Sequence, residues 1–163
     1  MKAPNEPEDI KPDKPIKDAS AKASLAGFRL QRHADFQRAY AASQKRQSAS
    51  MSWFLALQPK VEYAAGNAGS RQKSPPAGPR VGITAGKVLG KAHERNRIKR
   101  RMREALRRHV DLLAEGADLI LHPRRVVLTM EFTKLEAEVV RILTQARLEA
   151  ARMASRPAVV STP

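Results

Sequence analysis

The sequence contains no cysteine, very few aromatic residues and no long apolar run. The absence of cysteine excludes disulfide bonds, thiolate catalysis and zinc sites built on cysteine. No stretch of about 18 apolar residues could cross a bilayer, and the amino-terminal residues lack the apolar segment of a secretory signal. We therefore expect a cytoplasmic protein without a membrane-spanning segment.

Acidic residues are also scarce. The 163 residues include 16 Asp and Glu against 31 Lys and Arg, which gives a formal net charge of +15. This imbalance is unusual for an enzyme of small molecules, and it favours a polyanionic partner, either nucleic acid or an anionic membrane. A chain of this length allows one domain of ordinary size with tails.

Motifs of protein-borne catalysis are missing. The histidines have no metal-ligand spacing relative to one another or to carboxylates, and His109 is interpreted as a partly buried packing residue. The acidic residues are scattered, and no Ser-His-Asp signature is present. We therefore predict that the protein carries no catalytic residue and no metal site of its own, and that any catalytic groups belong to a partner.

Composition divides the chain into one domain and three weakly apolar segments. Residues 1–26 have mixed charge and too little apolar surface to fold, which predicts a disordered tail. Residues 27–151 form the predicted domain, interrupted by a Gly-, Pro- and Ser-rich flexible insertion at 59–79. Residues 152–163 are predicted to be a frayed tail.

Hydrophobic spacing predicts an α+β layer, with helices over one sheet face and the other face partly open. Gly82, in one of the strands, indicates a close approach of another group to the backbone. The predicted elements in chain order are a helix at 28–42, strands at 50–58 and 80–85, a helix at 91–110, a strand at 117–121, a short strand extension at 126–128, and a last helix from a Thr129 or Thr133 cap to about residue 151.

The stretch 91–110 is the most informative part of the chain. It has no Gly or Pro and consists mainly of strong helix formers. At about 100° per residue, its apolar residues share one arc. That arc contains Ile98, Met102, Ala105, Leu106, His109 and Leu113. The opposite arc contains Asn96, Lys99, Arg100, Arg103 and Arg107, flanked by Arg97, Arg101 and Arg108.

A solvated basic helix face is the simplest alternative. The stretch offers only Glu94 and Glu104 to pair with its many cations, and like charges at i,i+4, such as Arg97 and Arg101, repel each other. A polyanionic partner would relieve this repulsion. The excess of Arg over Lys favours bidentate phosphate contacts, so we interpret the face as a nucleic-acid docking surface.

The aromatic residues of the first helix allow two interpretations. Phe36 and Tyr40 recur at helical spacing, which is typical of core residues. The alternative is an aromatic floor on which single-stranded bases stack.

The run from Gly90 to Glu104 resembles the signature of the protein subunit of bacterial ribonuclease P. In that family Arg-Asn-Arg is followed by one residue, Lys-Arg, two residues and Arg. The matching positions are Arg95, Asn96, Arg97, Lys99, Arg100 and Arg103. The flanking matches are Arg29-Leu30, Asp35-Phe36, Arg80-Val81-Gly82-Ile83 and Asp118-Leu119-Ile120, so the resemblance covers about residues 28–147.

The resemblance implies a small two-layer α+β sandwich in the order α-β-β-β-α-β-α, with a left-handed βαβ crossover. It also implies a holoenzyme that removes the 5′ leader of precursor tRNA by Mg²⁺-dependent hydrolysis. The partners would be ribonuclease P RNA and precursor tRNA. The catalytic groups would belong to the RNA, which would also hold most of the Mg²⁺.

The resemblance further implies two binding surfaces. The predicted contacts to the catalytic RNA are Arg95, Asn96, Arg97, Lys99, Arg100 and Arg103, extended by Lys87, Lys91 and Arg107. The predicted leader cleft contains Phe36, Tyr40, Trp53 and Phe54. The chain departs from the family at Gly86-Lys87-Val88, where a Ser-Lys-Lys turn is common, which weakens the phosphate contact expected there.

Other classes remain as alternatives. A structural, ribosome-associated RNA-binding protein could use the same basic helix. A basic-region DNA binder would need a heptad zipper after the helix, but Gly116 interrupts the chain there. Binding to a membrane surface is disfavoured because the apolar arc lacks bulky aromatic residues.

Overall fold

Four strands and three α-helices form the part of the chain that the computed structural model describes, residues 25–59 and 78–156. The helices are α1 (His33–Ala42), α2 (Ala92–His109) and α3 (Phe132–Ser155), and the strands are β1 (Arg46–Gln47), β2 (Met51–Leu57), β3 (Arg80–Ile83) and β4 (Ala117–Pro123). The order α1-β1-β2-β3-α2-β4-α3 confirms the α+β class and the element order that the family resemblance implies. The predictions for residues 1–24, 60–77 and 157–163 lie outside the described residues.

The sheet has the strand order β1-β2-β4-β3. All seven residues of β2 pair antiparallel with β4, in a register that sets Trp53 opposite Leu121. Strand β3 pairs parallel with β4, and α2 connects the two. The left-handed sense of this βαβ connection, implied by the family resemblance, stays a prediction.

The two faces of the sheet have different partners because alternate strand residues point to opposite sides. Met51, Trp53 and Leu55 of β2 face the main core, which they share with the buried residues of α2 and α3. On the other face, Ala56 and Ile120 pack against α1 in a smaller cluster. This second face is therefore partly covered, as the sequence predicts.

Helix α2 buries the predicted apolar arc and begins after an unusual glycine. Ile98 and Met102 are fully buried, and Leu106 is 1% exposed. Gly90 has φ +123°, a backbone conformation that side-chain-bearing residues rarely adopt. The side chain of Glu94 then caps the helix by accepting the N–H of Lys91 at 2.7 Å.

The first helix is shorter than predicted, and the short strand at 126–128 is a 3₁₀ turn. The backbone N–H of Leu30 donates to the carbonyl of Val81 at 3.0 Å, so the chain runs extended along the edge of β3 before α1 begins. Residues Arg125–Leu128 form the 3₁₀ turn because the N–H of Val127 bonds the carbonyl of Arg124 at 3.1 Å instead of a strand neighbour.

The ends of β4 and α3 also differ from prediction. Strand β4 continues through Pro123, which lies opposite Met51 at the end of the ladder, where a missing N–H is tolerated. Helix α3 begins after Glu131, with neither threonine as its N-cap, and continues past residue 151 to Ser155. Good helix formers fill this extension, and the helix stops before a proline at position 157.

Strand β1 was missed by the hydrophobic spacing because it has two exposed residues. Tertiary contacts hold it in place. Arg46 pairs with Glu149 of α3 at 2.7 Å and lies over the ring of Trp53. Glu138 of α3 accepts the N–H of Ser50 at 3.0 Å and thereby anchors the turn between β1 and β2.

Helix α1 is attached to the sheet by a network of two arginines and two aspartates. Arg80 donates from Nε and Nη2 to the fully buried Asp118, at 2.8 and 2.7 Å, and from Nη1 to Asp35 of α1 at 3.0 Å. Arg38 of α1 bonds both carboxylates, at 2.9 and 2.8 Å. Arg80 and Arg38 are thus neutralised within the fold, and the position of α1 depends on these bonds.

Gly82 allows the close approach that its place in the strand predicts. A Cβ atom at this position would lie 2.6 Å from the Phe36 ring, which no real contact permits. The backbone of β3 therefore seats the ring of Phe36 directly. None of the helices in residues 25–59 and 78–156 combines the length and hydropathy that a bilayer span requires.

Asp118→Ala should strongly destabilise the fold because it leaves Arg80 and Arg38 without their shared buried partner. We expect the free energy of unfolding to fall by about 3–5 kcal/mol, as for other broken buried ion pairs. Asp111→Ala is the matched control, because Asp111 is exposed and forms no ion pair with another described residue. Denaturant unfolding of both variants checks this, and equal losses would contradict it.

Candidate nucleic-acid interface

The basic face of α2 presents cations that have no acidic partner in the described part of the chain. Arg97, Arg100 and Arg103 are exposed, while Arg95 and Lys99 are half-buried. Within residues 25–59 and 78–156, none of these five side chains forms an ion pair with a carboxylate. Asn96 is exposed beside them. The predicted motif residues are therefore brought together on one surface, with their charge unneutralised by the described chain.

The two glutamates of α2 are engaged elsewhere. Glu94 pairs with Arg125 at 3.1 Å, and its pKa is lowered chiefly by the hydrogen bond from the Lys91 backbone. Glu104 pairs with Arg107 at 2.7 Å, and that hydrogen bond is the main reason why its pKa is lowered. Arg107, one of the predicted RNA contacts, consequently has a carboxylate partner, which the motif residues lack among the described residues.

An open depression of about 650 Å³ lies along this face. It is lined by Leu25, Asn96, Lys99, Arg100, Arg103, Glu104 and Arg107. The lining carries four cations against one carboxylate, so the depression attracts anions. Leu25 belongs to the 3₁₀ turn that precedes α1, which means that the turn forms one wall beside the basic helix.

Two flanking arginines of α2 bind their own chain. Arg101 donates from Nη1 to the carbonyl of Leu128 at 3.4 Å and from Nη2 to the carbonyl of Met130. Arg108 lies over the ring of Phe132. The side of α2 that faces α3 therefore uses its guanidinium groups for packing, and only the opposite side leaves them free for a ligand.

The basic surface continues beyond the amino end of α2. Lys87 lies in the 3₁₀ turn before the helix and Lys91 at its N-cap, and both are exposed. The helix dipole adds partial positive charge at this end. Val88, which departs from the family pattern, is 91% exposed and carries no charge.

A second surface lies on the sheet face that α1 partly covers. It is a ring cluster formed by Phe36 and Tyr40 of α1, Phe54 of β2 and His122 of β4. Tyr40 contacts Phe54 edge-on at a centroid distance of 4.9 Å, and Phe54 lies 5.4 Å from His122. All four side chains are half-buried. The rings thus pack on the smaller core and also present surface to solvent, which confirms the packing role of Phe36 and Tyr40. Their role as a floor for single-stranded bases stays a prediction.

Trp53 is absent from the ring cluster, and its prediction as a cleft residue is wrong. It is 1% exposed and lies in the main core with α2 and α3. Phe54, its neighbour in β2, faces α1. Adjacent strand residues point to opposite faces, so only one of the two could join the cluster.

The histidines have roles that spacing along the chain did not indicate. His109 hydrogen-bonds Glu136 of α3 at 2.8 Å, so it has a polar partner in addition to its packing contacts. His122 bonds the hydroxyl of Tyr40 through Nε2 at 2.7 Å. The sequence offered one signal for His122, the alternation of β4, but the strand was predicted to end at residue 121, before His122. No group of three or more potential metal ligands occurs among the described residues.

The fold and these two surfaces define the class of protein. It is a small α+β protein with a long basic helix suited to a polyanion and a separate patch of half-exposed rings. Residues 26–147 match the family model described as Ribonuclease P. This match extends over most of the chain, and the protein belongs to that family.

Relatives and solved structures agree with this placement. The ribonuclease P protein component of Chloroflexus aggregans is 43% identical over 72 residues, which are 44% of this chain and 53% of that protein. The component of Symbiobacterium thermophilum is 41% identical over 69 residues, 42% of this chain and 60% of its own length. The chain thus spans between half and two thirds of these relatives.

The fold resembles the RNase P protein from Thermotoga maritima, with a TM-score of 0.55 and 21% identity over 72% of this chain and 96% of that chain. The RNase P protein from Staphylococcus aureus gives a TM-score of 0.52 and 24% identity over 77% and 91%. At these identities the comparison establishes the shared fold.

Arg100→Ala and Arg101→Ala are a matched pair, since each removes one charge from adjacent positions of α2. Arg101→Ala should lower the free energy of unfolding by about 1–3 kcal/mol, because two carbonyls lose their donor. Arg100→Ala should change it by less than about 0.5 kcal/mol, because Arg100 is exposed and unpaired within the described chain. Denaturant unfolding measures both, and a larger loss for Arg100→Ala would overturn this division of roles.

Proposed function

We propose that this chain is the protein subunit of ribonuclease P. It binds the catalytic RNA through the basic face of α2 and the 5′ leader of precursor tRNA through the ring cluster. It thereby promotes Mg²⁺-dependent endonucleolytic removal of the leader. The observation that carries the proposal is the row of cations on α2 at the family's motif positions, without acidic partners among the described residues.

The basic face of α2 has the chemistry that a folded RNA requires. Side chains cannot read the deep major groove of A-form RNA, so proteins recognise such helices by phosphate, 2′-hydroxyl and shape. Arg97, Arg100 and Arg103 supply planar, permanently charged donors for phosphate oxygens. Asn96 adds a neutral group that can donate to or accept from a 2′-hydroxyl.

The ring cluster has the chemistry that a single strand requires. Unpaired bases stack on aromatic side chains with little dependence on sequence, which suits a leader that differs between precursors. Phe36 of the cluster and Arg103 of α2 line the same small cavity of about 70 Å³ at the edge of β3. The two surfaces therefore meet at β3, so one RNA assembly can contact both.

In this proposal the protein binds and the RNA catalyses. Its side chains neutralise phosphates and hold the leader, whereas the catalytic groups and most of the Mg²⁺ reside in the RNA. Cationic side chains screen the repulsion between two RNAs, a task that Mg²⁺ must otherwise perform. We therefore expect the protein to matter most at low Mg²⁺.

The direct test is cleavage of a precursor tRNA by a cognate ribonuclease P RNA at low, near-physiological Mg²⁺, with and without this protein. We expect slow cleavage by RNA alone and restored cleavage at the mature 5′ end with the protein. Absence of stimulation despite tight RNA binding would overturn the proposal. That result would favour a structural, ribosome-associated RNA-binding protein.

The triple variant Arg97→Ala, Arg100→Ala and Arg103→Ala tests the docking surface. We expect it to weaken binding to ribonuclease P RNA and to reduce the salt dependence of log affinity by about one unit per lost phosphate contact. Filter binding or fluorescence titration at several salt concentrations measures both quantities.

The matched control removes Arg141, Arg147 and Arg152, which are exposed on α3 and form no ion pair among the described residues. This control lowers the net charge equally but leaves α2 intact. Equal losses in the two triple variants would show that binding depends on overall charge alone, which contradicts docking through α2.

A further inference from the structure

His122 occupies the point where the sheet face emerges from beneath α1. The alternation of β4 turns Asp118, Ile120 and His122 toward that face. Asp118 and Ile120 are fully buried, whereas His122 is half-buried at the end of the strand. Its cross-strand neighbour is Ser52 of β2. His122 is therefore the residue of this row on β4 that a ligand on the ring cluster can touch.

The groups that face His122 come from each element packed against it. Helix α1 presents the Tyr40 hydroxyl, β2 presents Ser52 and the Phe54 ring, and the segment between α1 and β1 presents Lys45. Among the described residues, no carboxylate forms an ion pair with the imidazole. Burial, and secondarily the charge of Lys45, lowers the pKa of His122 below its ordinary value, which favours the neutral imidazole in the free protein.

Protonation would change what this pair offers to a ligand. A neutral imidazole has one donor nitrogen and one acceptor nitrogen, whereas the imidazolium donates from both. In the charged state Nε2 can only donate to the Tyr40 oxygen, so the Tyr40 O–H is available to donate to another acceptor. A phosphate oxygen would satisfy this donor and also the new positive charge.

We propose that His122 is a specificity-determining residue of the ring cluster, which contacts the single-stranded leader together with Tyr40 and takes up a proton when the leader binds. This inference rests on the proposed leader binding. It adds to the leader-binding surface a residue that lies outside the sequence motif, and it makes the affinity for the leader dependent on pH.

The sign of the pH dependence follows from linkage. A bound phosphate favours the charged imidazole, so the pKa of His122 is higher in the complex than in the free protein. The added affinity is fully present below the free pKa and is lost as the pH rises through the pKa of the complex. Leader binding should therefore strengthen on acidification, by at most about tenfold per pH unit because one proton is involved.

The experiment uses the holoenzyme, assembled from this protein and its cognate RNA, between about pH 5.5 and pH 8. Its affinity is measured for leaderless tRNA and for a precursor with a non-hydrolysable linkage at the cleavage site. The ratio of the affinity for the precursor to the affinity for leaderless tRNA reports the contribution of the leader, because pH effects on the rest of the complex cancel. For the wild type we expect this ratio to rise roughly three- to tenfold on acidification, within the one-proton limit.

Two variants and a control identify the titrating group. His122→Gln keeps a donor and an acceptor for Tyr40 but cannot become charged, so its ratio should be independent of pH. His122→Arg carries a permanent charge, so its ratio should also be independent of pH and exceed that of His122→Gln. His33→Gln removes an exposed histidine at the start of α1 and should show the same change of the affinity ratio with pH as the wild type.

The outcomes separate this inference from the proposed function. If the wild type shows no preference for the leader at any pH, the proposed leader binding fails, and this inference fails with it. If the preference exists but is independent of pH, or if His122→Gln keeps the wild-type slope, the inference about His122 is wrong while leader binding stands.

Discussion

The antiparallel pairing of β2 with β4 is the constraint on which the other elements depend. Every residue of β2 has a partner in β4, and the ladder is largely buried on both faces. One face therefore needs the cover that α2 and α3 provide, and the other needs α1. Because the sheet separates these layers, the basic helix lies on one side and the ring cluster on the other. The two surfaces meet at the edge formed by β3, where Phe36 and Arg103 line one cavity.

Charge is divided between structure and ligand binding by the placement of a few carboxylates. Asp118 and Asp35 neutralise Arg80 and Arg38 inside the fold. Glu94 and Glu104 pair at the margins of α2, with Arg125 and with Arg107 and Arg108. The guanidinium groups at the centre of the motif keep their full charge in the described part of the chain. A polyanion would thus stabilise a surface whose like charges otherwise repel one another.

Local patterns predicted the parts of the fold that depend on periodicity. The apolar arc of α2 is the buried arc. The sequence prediction placed both Trp53 and Phe54 in the cleft, but the alternation of β2 puts them on opposite faces, and only the packed helices show which face each one occupies. The predicted start of α1 was wrong because the hydrogen bond between Leu30 and Val81, which holds the preceding segment extended, joins segments distant in sequence. For the same reason the two-residue β1 left no local signal, since its position depends on contacts with Glu149 and Trp53.

The sequence by itself determined the family, the element order that the family implies, and the cationic face of α2. The motif follows from residue identity and the cationic face from the helical repeat. Tertiary structure alone decided which arginines remain free. Arg100 and Arg101 are neighbours of the same type, yet one is exposed and the other donates to carbonyls before α3. It also decided that His122 meets Tyr40, a contact across 82 positions. Side chains far apart in the chain become partners only when strands and helices pack. The periodicity of one segment carries no information about which distant segment will pack against it.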